Sequence, residues 1–173
     1  MATPVTQPGT TDDPTQLPAL AASLTEKPGH RLAFQAHACG VQIYPWDAAS
    51  QTFGKARPDA VLMVAKTGEI IHHFKGPTWQ AADQSLVTGI PVAGNAACPD
   101  PSAIPWVELK ATPGGTPSGK LSNVAFIRRL FTRGGIAPAA NPAGLAEVPV
   151  YYEAEYYFYE PLPPADGDPG QSR

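Results

Sequence analysis

The stretch from Val148 to Tyr159 constrains this chain more than any other. Val148, Val150, Tyr152, Ala154, Tyr156 and Phe158 fall on one side of a period-two pattern; Tyr151, Glu153, Glu155, Tyr157 and Tyr159 fall on the other. Successive side chains separate this way in a β-strand, where they point to opposite faces of the sheet. Both sides carry rings, so one of them lines a cavity or a second packed surface.

Shorter runs repeat the pattern. Leu32, Phe34 and Ala36 alternate with Gln35 and His37, and Val41-Gln42-Ile43-Tyr44 resumes the alternation and stops at Pro45. Ala60 to Ala65 is apolar throughout, which predicts a strand buried on both faces. Lys66-Thr67-Gly68-Glu69 then makes a tight turn into Ile70–Phe74, giving a hairpin. Ser85–Thr88 is another short strand, and Trp106–Ala111 sets Val107, Leu109 and Ala111 against Trp106, Glu108 and Lys110. Leu121–Thr132 fits both a strand and a helix; its β-branched and aromatic content favours strand. Residues 46–58, 89–105, 112–119 and 136–147 read as loops. The chain's 21 prolines and 16 glycines break it too often for long helices. The fold class that follows is all-β, an antiparallel β-barrel or β-sandwich with long Pro/Gly-rich loops. Residues 1–28 are expected to be a mobile N-terminal segment containing a short helical turn near 18–24. Residues 29–160 are the single β domain, and 161–173 a disordered tail.

A net charge of −3 supplies no broad basic field, which argues against nucleic acid as a partner. No run of about 18 apolar residues is present, so no transmembrane segment is expected. The opening Met1-Ala2-Thr3-Pro4 lacks the features of a secretory leader and reads as the start of a mature chain. Low charge, abundant Pro and Gly, and two cysteines without a CxxC spacing lean toward a secreted or periplasmic protein with a Cys39–Cys98 disulfide. Two free thiols in a cytosolic protein are the alternative. A bridge across so long a loop is worth about 4 kcal/mol in the chain-entropy model.

The densest group of aromatic and titratable residues outside the tyrosine-rich strand is Glu69–Gln80. It holds His72 and His73, turns at Gly76-Pro77 and delivers Trp79. Adjacent residues on a strand point apart, so His72 and His73 cannot both ligate one metal on an unbulged strand. A metal site would have to combine His37 with one of them and Glu69 or Asp83, and no HxH, HExxH or HxxxH spacing exists. The expectation is no metal and no cofactor. Ser85 lacks a GxSxG elbow. Glu153 and Glu155 beside Tyr151 or Tyr157 offer an acid–base set, though a solvated outer face accounts for them as well. Arg128 and Arg129 fit either an anionic ligand or pairing with glutamates.

Several stretches stand together in an order that carries a family resemblance: Ala38-Cys39-Gly40-Val41-Gln42-Ile43-Tyr44, His72-His73-Phe74-Lys75-Gly76-Pro77-Thr78-Trp79, Ile104-Pro105-Trp106, Thr132-Arg133-Gly134-Gly135-Ile136-Ala137-Pro138, and Val148-Pro149 through Tyr156-Tyr157-Phe158-Tyr159. From about Leu32 to Tyr159 the chain resembles the domain-of-unknown-function 3455 family (DUF3455). The resemblance implies export and one compact domain, and supplies no activity or catalytic residues. Two features depart from the family pattern. Gln80 stands where the family has an acidic residue, and its Asp-Gly-Ser turn reads Asp83-Gln84-Ser85. The family's cysteines also fall at other places, near Pro45 or Trp46 and near Asn141.

The function expected from these readings is small-ligand binding in an aromatic-lined pocket built from His72, His73, Trp79, Tyr44, Trp106 and Tyr156, with a small apolar or sugar-like ligand. A small β-barrel hydrolase or isomerase using a histidine base is one alternative. A structural or stress-associated envelope protein is another. The chain is expected to act as a monomer or homodimer.

Overall fold

The structure, a computed structural model, describes Ala21 and residues 26–163. Ten strands account for most of them: β1 (Glu26–Lys27), β2 (His30–Asp47), β3 (Thr52–Phe53), β4 (Arg57–Val64), β5 (Ile70–Phe74), β6 (Thr78–Ala81), β7 (Ser85–Ala97), β8 (Trp106–Gly115), β9 (Phe126–Gly134) and β10 (Glu147–Pro161). Eight of them close into an antiparallel ring in the order β2, β10, β9, β8, β7, β6, β5, β4 and back to β2. β1 and β3 are short flaps paired to the two ends of β2. The fold is therefore the all-β antiparallel architecture expected, and closure leaves the ring without an open edge.

The alternation of β10 does what its sequence says. Tyr152, Ala154, Tyr156 and Phe158 point into the barrel, where Phe158 stacks on Phe34 at 4.4 Å between ring centres. Ala36, Ala38 and Gly40 of β2 are small, which leaves interior volume for the rings of β10 and for Trp79. A Cβ on Gly40 would sit 2.4 Å from the Asp59 carbonyl oxygen, so only glycine lets β2 and β4 approach so closely at the seam. Tyr157 and Tyr159, on the opposite face of β10, are also buried. They belong to a second apolar cluster outside the ring, with Trp106, Leu130 and Ala21.

Beside that outer cluster lies a buried ion network. Glu108 is 1% exposed and accepts from Arg128 Nε at 2.8 Å, Lys27 Nζ at 2.9 Å and Asn95 Nδ2 at 3.0 Å. At one end the barrel is plugged by the connection before β9, whose Leu121 and Val124 are buried in the interior core. That connection is fixed by the turn before β7: Lys120 N–H donates to Asp83 Oδ2 at 2.7 Å and Leu121 N–H to Ser85 Oγ at 3.1 Å.

Several expectations are corrected. Ala60–Ala65 is not buried on both faces: Val61 and Met63 are exposed while Ala60, Leu62 and Val64 are buried, because an exterior face of the barrel meets solvent there. β2 continues through Pro45 to Asp47, and about half of the expected 46–58 and 89–105 loops is strand. Leu121 and Val124 lie in turns rather than in a strand or helix, and β9 begins at Phe126. Cys39 and Cys98 are both free thiols. Cys39 sits on β2 and Cys98 directly follows β7; these strands lie opposite in the eight-membered ring, four spacings of about 4.8 Å either way, beyond the roughly 7 Å Cα reach of a disulfide. The expected N-terminal helical turn and most of the 1–28 and 161–173 segments lie outside the described residues, although Glu26–Lys27 forms β1 and Pro161 ends β10.

Candidate ligand-binding cavity

The end of the barrel opposite the plug holds a cavity of about 750 Å³. It opens among the Lys55–Pro58 segment, the Lys75–Pro77 turn and the start of β10 at Glu147. Four of its lining residues are prolines: Pro45, Pro58, Pro77 and Pro91. Pro77 belongs to the β5–β6 turn, and the other three lie in strands where a neighbour has run out or is running out. Pro58 pairs with Gln42 on β2, but β5 reaches β4 only from Ala60 onward. Pro91 pairs with Leu109 on β8, but β6 reaches β7 only as far as Thr88. Pro45 faces Glu147 in the last rung that β2 makes with β10. A missing N–H costs little where no neighbour would receive it, so proline marks where the strands splay and the barrel widens.

The cavity's inner wall is aromatic. Trp79 and Tyr156, each 1% exposed, line it together with His73, which is 2% exposed. His73 stacks on Trp79 with ring centres 4.2 Å apart and planes 7° apart, and meets Tyr156 edge-on at 5.6 Å. Its Nδ1 lies 2.9 Å from the Thr78 carbonyl oxygen. A carbonyl can only accept, so Nδ1 carries the proton and Nε2 is left as an acceptor. Burial pushes the His73 pKa down to about 3, and the nearby Arg129 charge acts in the same direction. The imidazole is therefore neutral at any ordinary pH.

Trp79 Nε1 is buried with no hydrogen-bond partner among the described residues, and the buried Tyr152 and Tyr156 hydroxyls, neighbours of each other and of Arg129, make no close hydrogen bond. Trp79 and Tyr156 both line the cavity. Burial raises the Tyr156 pKa, opposed by the Arg129 guanidinium. Arg129, half-buried on β9, lines the same cavity and donates from Nε and Nη2 to the Pro105 carbonyl oxygen at 3.2 and 2.8 Å. Among the described residues it has no carboxylate partner. Arg57 at the rim does, holding Glu147 through two bonds of 2.8 and 2.9 Å.

The residues singled out from the sequence separate into two groups. His73, Trp79 and Tyr156 come together on the cavity wall. His72 points to the exterior of β5 and is exposed. Trp106 belongs to the outer cluster, packed edge-on against Phe131 at 4.9 Å. Tyr44 is half-buried and donates from Oη to the Gly135 carbonyl oxygen at 2.6 Å. The paired arginines divide as the histidines do, with Arg128 on Glu108 outside and Arg129 in the cavity. Ser85 and Asp83 are spent on the plug, Tyr151 donates to Glu153 at 2.6 Å on the exterior, and Glu155 bonds His37 at 2.7 Å. Among the described residues no three of His, Cys, Asp and Glu come together as a metal site. Gln42, Lys55, Lys75 and Leu109 were not apparent as lining residues; the sequence signal for this end is its prolines.

The fold and site together describe a closed β-barrel with an aromatic cavity at one end. A family described as "Protein of unknown function (DUF3455)" matches residues 27–160, more than three quarters of the chain. The chain belongs to that family. No curated protein and no solved structure matches it.

Proposed function

We propose that this protein is an exported small-ligand-binding module whose site is the proline-rimmed mouth of the barrel. The observation that carries the reading is a fully buried donor on the cavity wall, Trp79 Nε1, with no protein partner among the described residues. A buried polar group left unsatisfied costs about 1–3 kcal/mol, which an accepting atom on a bound molecule recovers. The cavity volume is within the range of small-molecule sites. Export rests on the composition and on the family resemblance. A histidine-base enzyme is less well supported: His73 is far too weak a base to match neutral pH, and His72 lies outside the barrel.

The test uses N-phenyl-1-naphthylamine, a neutral aromatic probe that brightens in apolar surroundings. Saturable one-to-one binding is expected, abolished by Ala56→Trp, which places an indole at the mouth, and weakened by Leu109→Trp inside it. Absence of saturable binding, or binding indifferent to both variants, would end this reading.

A further inference from the structure

We propose that the ligand is an organic anion with a flat apolar body, its acid group held by Arg129 and its body packed among Trp79, Tyr156 and the proline wall. This rests on the ligand-binding reading above and names the chemistry of that same site. The first observation is charge. The whole chain carries −3, yet the cavity is lined by Lys55, Arg57, Lys75 and Arg129 against a single carboxylate, Glu147. Arg57 already neutralises Glu147. Lys55, Lys75 and Arg129 have no acidic partner among the described residues, so the mouth is locally cationic on an acidic protein.

The second observation is the balance of donors and acceptors. Trp79 Nε1 and the Arg129 guanidinium can only donate, and the Tyr156 hydroxyl, beside Tyr152 and Arg129, keeps its own proton to donate. Against them stand the lone pair on His73 Nε2 and the Gln42 amide. A sugar donates about as often as it accepts and would find too few acceptors here. A carboxylate or sulfonate only accepts, and suits the excess. The third observation is position. Two hydrogen bonds to Pro105 O hold the guanidinium in place, and its charge reaches His73 and Tyr156 on the inner wall and Tyr152 in the core. A preset guanidinium loses little freedom when it engages an acid group. The remaining walls, Val107 and Leu109 with the prolines, are apolar and suit a hydrocarbon body.

A matched pair of probes isolates the acid group. 8-Anilinonaphthalene-1-sulfonate is N-phenyl-1-naphthylamine with one sulfonate added. Wild-type protein is expected to bind the sulfonate at least about tenfold more tightly than the neutral probe, the equivalent of one charge-assisted contact. Arg129→Gln is expected to bring the two within about twofold, chiefly by weakening the sulfonate, and Arg129→Lys to keep part of the preference. If Arg129→Gln does not fold, salt decides: preference due to Arg129 persists at about 0.5 M salt, whereas preference due to the rim lysines is screened away. Equal affinities in the wild type, a preference unchanged in Arg129→Gln, or one lost at high salt would each overturn the inference. Absence of neutral-probe binding to the wild type would instead strike the ligand-binding reading itself.

Discussion

His73 ties stability to pH in a window that no other strongly shifted group shares. It is 2% exposed, its Nδ1–H is committed to Thr78 O, and burial first, then Arg129, drives its pKa down to about 3. In the unfolded chain the same imidazole titrates near 6.5. Below 6.5 the unfolded state takes up a proton that the folded state refuses, so the stabilisation is complete above that pH and is lost as pH falls toward 3. Each pH unit within the window removes about 1.4 kcal/mol, and acidifying from pH 7 to pH 5 removes about 2 kcal/mol. For a chain of this size that corresponds to a melting temperature lower by about 4–8 °C. The carboxyls held below their usual range, such as Asp83 by Ser85 and Glu69 by Lys120, begin to matter only beneath about pH 4.5, below the range from pH 5 to pH 7 used to read His73. The assay is thermal or urea unfolding of wild type and His73→Gln from pH 5 to pH 7. The variant is less stable at pH 7 but nearly flat across the window, because glutamine can donate to Thr78 O and takes no proton. Equal slopes for the two proteins would refute the assignment of a neutral, inaccessible imidazole.

Two further outcomes follow from the fold. Glu108→Ala is expected to cost about 3–5 kcal/mol in urea unfolding, since it takes the carboxylate away from buried Arg128 and from Lys27; a loss under about 1 kcal/mol would show the network to be well solvated. Gln84 occupies a left-handed backbone conformation, φ +67°, which favours glycine. Gln84→Gly is expected to raise stability by about 0.5–1 kcal/mol, and a drop would mean that its bond to Gln80 outweighs the backbone strain.

Period-two patterning was legible wherever one face of a strand meets the interior. It placed the Ala60–Phe74 hairpin, both faces of β10, and the opposite directions of His72 and His73. It failed at the prolines for a definite reason. Proline argues against a central strand only when both neighbours need its N–H, and Pro58 and Pro91 stand where one neighbour has ended. Strand length at the mouth was therefore underread, and with it the cavity's outer half. Trp106 misled because its face is buried by segments distant in sequence, Ala21 among them, which no local pattern reports. Arg129 was visible as a candidate anion ligand; what decides between it and Arg128 is the β9 register, which leaves Arg128 opposite Glu108 and Arg129 opposite Val107 and Tyr156.

The seam between β2 and β10 bears on how the molecule comes into being. Its rungs run from Glu147 against Pro45 to Pro161 against His30, joining the first long strand to the last. A ribosome releases β10 only after every other stave is made, so until then β2 waits with one flank bare. Closing the hoop means bringing together residues more than a hundred positions apart, a slow step in chain-entropy terms. Nascent or truncated chains are thus hoops without a clasp, displaying the kind of naked strand flank that recruits other molecules into aggregates.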